Sequence, residues 1–380
     1  MVKEVTRYIK KEVERELWAR SAGRCEFHGC NRILYRSPVT QERINISEKA
    51  HIYSFSEEGP RGWGPFKTDK KAINNIDNLL LLCHDCHKKI DAAPDGGRYT
   101  AELLKKWKME HEKRIAIVTG IDPSEATCVV MYGANIGNET SKLLPAQIHC
   151  ALFPQRYPLE EKPISLSMSW EGKDEKEEYW NVEDRNLKQA FDRRIRPYIA
   201  DGHHFSIFAL APMPLLIRLG TLFTDKIQAD VYQLRREPEQ TWQWDSNNTS
   251  TVYKVIDPQR YEYPPALIIS LSAKIAKERI TAVLGTEVSI WEVTIDNPHN
   301  DFLKCRQQLS DYRSIMRELM INISNKHGVE TPLPIFPAMP VATSVELGRV
   351  RMPKADMPWI IYDHNQKHGA FVKALKIRSE

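Results

Sequence analysis

At 380 residues the chain is too long for one ordinary core and suits two or three domains. Its 42% hydrophobic and 27% charged residues are typical of soluble globular proteins, and no apolar run nears the ~20 residues of a membrane helix. The net charge of +4 is uneven: residues 1–120 hold 23 Lys/Arg against 17 Asp/Glu, and the rest hold 31 against 33, so a basic small domain suited to nucleic acid precedes a near-neutral large one. The N-terminal stretch is charged and lacks the apolar core of a secretory signal, so a cytoplasmic protein is expected. The odd count of seven cysteines argues against a disulfide framework.

In chain order, residues 4–21 predict an amphipathic helix, with Val5, Tyr8, Ile9, Val13, Leu17 and Trp18 near helical spacing. A tight knuckle around Cys25 and Cys30 follows, then an extended stretch at 42–54 and a Gly/Pro-rich charged loop at 56–72. The run LLLLC at 79–83 leads into a helix near 84–92 and a turn at Pro94-Asp95-Gly96-Gly97. A helix starts after Thr100 as N-cap, and the break near Gly120–Pro123 is the best domain boundary. The domains expected are thus 1–120 and 125–380.

The second domain reads as layered α/β and as a duplication of two halves, about 125–260 and 261–380. Strand-like ISLSMSW (164–170) precedes a helix at about 182–199, a strand at 204–210 running into APMP, a Leu219-Gly220 pair and strand-like ADVYQL. The expected second copy runs ALIISLSA (266–273), VSIWEVTI, a helix at about 300–325, PLPIF into PAMP, Leu347-Gly348 and PWIIYD. Two such halves predict a pocket beyond the carboxyl ends of their strands. Its candidate residues are Ser272 and Lys274, Trp170 at the comparable place in the first copy, and Met213 and Met339 in the Pro-Met-Pro-like turns. Trp242 and Trp244 are rival stacking residues.

Cys25-x4-Cys30 and Cys83-x2-Cys86 supply four thiolates in two close pairs, the ligand set of tetrahedral structural zinc. Threaded through that frame is the order His51, Asn78, His87. Phosphodiester hydrolysis needs an activated water, a Lewis acid on the phosphate and stabilisation of the leaving oxygen. His51 is the candidate general base, and His87 the candidate ligand of a catalytic divalent ion, Mg²⁺ being expected.

The segments LWARSAGRC, AHI and NLLLLCHDCH closely resemble the HNH nucleases over about residues 15 to 112. The resemblance implies a ββα-metal fold with the first His on a strand and the last on a helix. It also implies that Asn78 either ligates the metal or orients the strand bearing His51. Many HNH enzymes carry a metal-ligating Asp or His where this chain has Ala50; Glu48, Asp77, a water or Asp91 are the replacements considered. Asn75 is a weaker rival for the family asparagine.

FALAPMPLLIRLG and PIFPAMPVATSVELG are similar to the core of SAVED domains. An HNH nuclease followed by a duplicated α/β region resembles the HNH–SAVED effectors of cyclic-oligonucleotide-based antiphage signalling (CBASS) in bacteria. The resemblance implies two fused CARF-like halves, a cyclic di- or trinucleotide ligand, assembly to a dimer or tetramer, and cleavage of double-stranded DNA on activation. The alternative is an HNH restriction endonuclease with a DNA-recognition domain, which would make residues 121–380 strongly basic. A zinc-knuckle binding module would leave the His–Asn–His set unexplained.

Overall fold

The computed structural model describes residues 8–92, 97–135, 143–167, 177–247, 250–365 and 369–378. Trp170 and the turn residues 94–96 lie outside these, as does the start of the first predicted helix. The chain divides into two units, Met1–Ile121 and Asp122–Glu380.

The first unit opens with helix α1, Lys11–Arg20, whose Leu17 is fully buried. Strand β1, Ser47–His51, pairs antiparallel with β2, Leu79–Cys83, in an unbroken register that sets His51 opposite Leu79. All five residues of β2 are buried, as its unbroken apolar run requires of a strand covered on both faces. Helix α2, His84–Ile90, follows directly, so strand, strand and helix form a ββα unit. The connecting loop is drawn in by short 3₁₀ turns, two of them capped by the Asp69 and Asn75 side chains. Helix α3, Ala101–Thr119, begins at the predicted cap: the Thr100 hydroxyl accepts a hydrogen bond from the Leu103 amide at 3.3 Å.

The second unit begins with strand β3, Ala126–Gly133, helix α4, Pro145–Leu152, and short strands β4 (Tyr157–Pro158) and β5 (Ile164–Ser165). Helices α5 (Glu177–Arg194) and α6 (Arg196–Ala200) lead to β6, His204–Leu210, then α7, Met213–Phe223, and β7, Ala229–Val231. The sheet they build is parallel, in the order β4-β3-β6-β7, with β5 also on β3. Next come β8 (Lys254–Ile256), β9 (Pro265–Ser270), α8 (Lys277–Leu284), β10 (Ser289–Thr294) and α9 (Arg306–His327). The chain continues with β11 (Leu333–Ala338), α10 (Val341–Val350), β12 (Trp359–Asn365) and β13 (Ala370–Ile377). Their sheet runs β13-β12-β11-β9-β10-β8, parallel inside with an antiparallel strand at each edge.

The doubling is present in the strand order, but its copies are matched differently from the sequence expectation. In each sheet the first long strand is central: β3 and β9 are counterparts, as are β6 and β11, and β7 and β12. The stretch at 164–170 was expected to match 266–273. It contributes the two-residue β5 beside β3, in the place β10 takes beside β9. Strand β8 joins the second sheet, so the halves divide before residue 254 rather than at 260.

The paired glycines explain how the halves meet. A Cβ on Gly220 would stand 1.9 Å from the Val345 carbonyl oxygen, and one on Gly348 would stand 2.0 Å from that of Ile217. Only glycine lets α7 and α10 approach this closely. Around the crossing, one apolar core includes Phe205 and Leu216 of the first half and Leu267 and Val345 of the second. Arg349, on α10, donates to the carbonyls of Thr224, Ile227 and Ala229 at 2.9–3.2 Å and tethers the end of α7.

Candidate nuclease site and sensor unit

The four cysteines expected to hold a metal come together. The sulfurs of Cys25, Cys30, Cys83 and Cys86 all lie within 4.8 Å of one another, and Cys30 Sγ stands 4.0 Å from Cys83 Sγ. Zinc–sulfur bonds of about 2.3 Å give a tetrahedron edge of about 3.8 Å, so the donor set fits zinc. The knuckle is preformed by its backbone, with the Cys25 amide on the Arg32 carbonyl and the Cys30 amide on that of Phe27. Burial pushes the Cys25 thiol up to about 12 and raises that of Cys86 as well. Thiols packed this closely need a dication to become thiolates together. His28 and His84, inside the knuckles, are exposed and stand outside the cluster.

His51 ends β1, half-buried, beside the ring of Phe55. Its Nε2 lies 2.9 Å from Asn74 Oδ1, and the Asn74 amide nitrogen donates to the Tyr8 carbonyl, which fixes that amide's orientation. A carbonyl oxygen only accepts, so Nε2 carries the proton and Nδ1 is the acceptor nitrogen of the ring.

Asn78 is buried, and its side chain is used on backbone. Its Oδ1 accepts from the Tyr53 amide at 2.8 Å, and its Nδ2 donates to the carbonyls of Tyr53 and Ile73 at 3.1 and 2.9 Å. Its own carbonyl accepts from the Ile52 amide. Both ends of the Asn78 amide are thus spent on the backbone around the end of β1.

The replacements considered for the Ala50 position are largely engaged elsewhere. Ala50 itself is fully buried in the core. Glu48 faces His84, with its Oε1 3.4 Å from Nδ1, as the regular register of β1 dictates. Asp77 is exposed toward Arg20, and Asn75 caps a 3₁₀ turn. Asp91 does stand by His87, its Oδ2 3.2 Å from His87 Nε2. Burial would raise the Asp91 carboxyl, but hydrogen bonds from His87 and Arg61 outweigh it and hold the group below its usual range.

Arg61 was not singled out by the sequence. Its side chain is 4% exposed, and its backbone is left-handed at φ +65°. The guanidinium donates to the carbonyls of His51, Ile52, Ile90 and Tyr99 and, at 2.8 Å, to Asp91 Oδ1. The end of β1 and the end of α2 are thereby tied to one side chain.

In the second unit, the carboxyl ends of β6 and β11 border a small cavity of about 110 Å³, whose lining includes Gln233, Ser272, Asn300, Met339 and Pro340. Met213 is the first residue of α7, half-buried; Lys274 is exposed beside this loop and does not line the cavity. Trp242 is buried against Phe208 and so is a core residue; Trp244 is half-buried and packs against the same cluster. A larger cavity of about 610 Å³ opens at the amino ends of the strands, with Arg196, Arg218, Arg351 and Arg378 in its wall. No helix among the described residues is long and apolar enough to cross a membrane.

Residues 25–93 match the model of the HNH endonuclease family, and residues 187–377 match that of SAVED, the "SMODS-associated and fused to various effectors sensor domain". No curated protein matches the chain. Among solved structures, it is similar to the Acinetobacter baumannii Cap4 SAVED/CARF-domain containing receptor with the cyclic trinucleotide 2′3′3′-cAAA, at 12% identity and a TM-score of 0.44, covering 82% of this chain and 66% of that one. The corresponding receptor of Moraxella osloensis matches at 10% identity and a TM-score of 0.38, over 73% of this chain and 61% of that one. The chain thus spans less than two thirds of the length of either receptor. It belongs to the SAVED family, and the effector it carries ahead of the sensor is an HNH endonuclease.

Proposed function

We propose that the chain is a bacterial, cytoplasmic antiphage effector of the CBASS type. The HNH unit hydrolyses phosphodiesters of double-stranded DNA when a cyclic di- or trinucleotide occupies the SAVED unit. The observation that carries the chemistry is the paired orientation of His51. Asn74 holds one ring nitrogen as a donor, which leaves the other as the ring's proton acceptor. His51 accepts the proton of the water that attacks phosphorus. Asn78 keeps the strand end beneath it in place. His87 would hold a divalent cation, Mg²⁺ in the cell; when bound, that ion supplies charge stabilisation at the phosphate and the leaving 3′-oxygen. Zinc on the four cysteines has no part in the reaction and holds the ββα unit together.

The cyclic ligand is assigned to the carboxyl edges of the two sheets, where Pro340 and Val341 at the start of α10 line the cavity. A cavity of about 110 Å³ is below the size of ordinary ligand pockets, so binding must open it. That opening couples ligand to conformation. Shifting a population from 1:99 to 99:1 takes about 5.5 kcal/mol of preference for the open state. Self-association to a dimer or tetramer then brings two nuclease sites together, as a double-strand break requires. The near-neutral charge of residues 121–380 weighs against the restriction-enzyme reading.

The test is plasmid cleavage with Mg²⁺, with and without a panel of cyclic di- and trinucleotides, alongside sizing by light scattering. Cleavage and growth in size that depend on one of the nucleotides are expected. Full activity with none, at constant size, would overturn the sensor reading. Loss of nucleotide binding in Arg378→Glu, with Ser272→Tyr binding as wild type, would move the ligand to the 610 Å³ cavity.

A further inference from the structure

We propose that Arg61 is a positioning residue of the nuclease site: through Asp91 it fixes the imidazole of His87 relative to the strand end that carries His51. The proposal rests on the roles given above to those two histidines.

A guanidinium has five N–H donors, and each one of Arg61 has an acceptor. Nε donates to Ile52 O; Nη1 donates to Ile90 O at 2.6 Å and Tyr99 O at 3.5 Å; Nη2 donates to His51 O at 3.3 Å and Asp91 Oδ1 at 2.8 Å. A buried brace would need only the carbonyls. The fifth bond goes instead to a carboxylate whose other oxygen meets His87 Nε2 at 3.2 Å. A carboxylate at that nitrogen makes it the donor, so Nδ1 becomes the bare nitrogen of the ring, the one able to ligate a metal. Without Arg61, the exposed Asp91 could turn, and the ring would sample both tautomers.

The local chain is shaped for this contact. Residue 61 adopts a left-handed backbone that a side chain rarely takes, with the left-handed Gly62 next to it. Such strain persists where the surroundings over-determine it. The bend turns the longest cation of the loop inward, where it is 4% exposed. Lysine cannot substitute, because three donors on a point charge cannot serve five acceptors arranged around a plane.

The experiment uses the full chain with ¹⁵N-labelled histidine, as wild type, Arg61→Lys, Asp91→Asn and His87→Ala. Ring-nitrogen NMR signals of His87 report its tautomer, and Mn²⁺ titration followed by electron paramagnetic resonance reports metal binding. Zinc content and melting temperature control for folding. Asp91→Asn leaves the four carbonyl bonds of Arg61 in place, so it cuts the route to His87 while sparing the brace.

In wild type, one protonated and one bare nitrogen are expected. In Arg61→Lys and Asp91→Asn, the two should average, and Mn²⁺ binding should weaken about tenfold or more, with zinc retained. Arg61→Lys that melts lower yet keeps the wild-type ring pattern and Mn²⁺ binding would overturn the proposal and leave a brace. If His87→Ala binds Mn²⁺ as wild type does, the metal role of His87 falls by itself, and the ring signals alone decide on Arg61.

Discussion

The two units are stabilised by different means. The nuclease unit hangs a short hairpin, a two-turn helix and long irregular loops around four thiols, and its apolar core is small. The sensor unit builds one extended core across two sheets and closes it where two glycines let helices touch. A small unit can replace missing core with a metal; a large one can rely on close packing. The difference should be visible as two separable melting transitions, each with its own point of failure.

The largest effect expected is loss of the metal. Apparent zinc binding energies of about 10–16 kcal/mol exceed the whole stability of a small domain. Cys83→Ser, or a strong chelator, should abolish the nuclease transition and leave the sensor transition in place. Metal analysis should find one zinc per chain in the wild type. A Cys83→Ser protein that keeps both transitions would remove zinc from the account.

Next in size is the chemistry. His51→Ala should lower cleavage about 10²–10⁴-fold, the usual contribution of a general base. Zinc content and both melting transitions should stay at wild-type values, because the ring is half-buried and the thiol cluster is separate from it. Near-wild-type cleavage under activating conditions would falsify the assignment.

The third change tests the other unit. Gly348→Ala puts a carbon 2.0 Å from a backbone oxygen, which no rotamer change can relieve. Overpacking of this kind costs about 1–3 kcal/mol. The sensor transition should fall, and the nuclease transition should not. Calorimetry in which Gly348→Ala melts as wild type would show that the helices have room to separate.

The same contrast governs what could be read from the sequence. Metal ligation restricts residue types and spacing, so the cysteine pairs stand out in a single chain, and the histidines threaded between and after them stand out with them. Arg61 has no such signature: one arginine in a Gly/Pro-rich loop is ordinary until the fold places its five acceptors. Asn74 and Asn78 lie four residues apart, and only the backbone geometry shows that the first holds His51 while the second holds the strand. In the sensor, the Pro-Met-Pro-like turns and the Leu-Gly pairs are legible in both halves, and close packing fixes the glycines of the latter. The pairing of the copies differs from the sequence expectation at their first strands. The apolar alternation at 164–167 resembles a central strand, yet only Ile164 and Ser165 pair. The true central strand, β3, begins just past the linker. Alternation reports which face of a strand is buried, not where it sits in a sheet.

The smallest predicted effect concerns acid and the sensor core. His204 begins β6, its side chain 10% exposed, with Nδ1 2.9 Å from the Thr127 hydroxyl and Nε2 3.7 Å from Asp230. Burial lowers its pKa to about 4; Asp230 works against the shift, and Arg156, Arg306 and Arg349 add to it. The unfolded chain therefore takes up this proton first as pH falls from 6.5 toward 4, and the folded unit loses stability over that window. Asp230 does not contribute there. Arg306, His204 and Arg156 outweigh its burial and hold its carboxyl below the usual range, so it stays charged until the solution is more acid still. At pH 5.5 the His204 contribution is about 1 kcal/mol, or roughly 2–4 °C in the sensor transition. His204→Gln keeps a polar partner for Thr127 and removes the titration, so the shift in that transition between pH 7.5 and 5.5 should shrink by that amount. The nuclease transition should respond to acid equally in both proteins, since its thiols titrate independently of residue 204. An unchanged sensor shift in His204→Gln would place the acid sensitivity in other groups, and the partly buried charge cluster around Asp230 would then be a purely static link between the two halves.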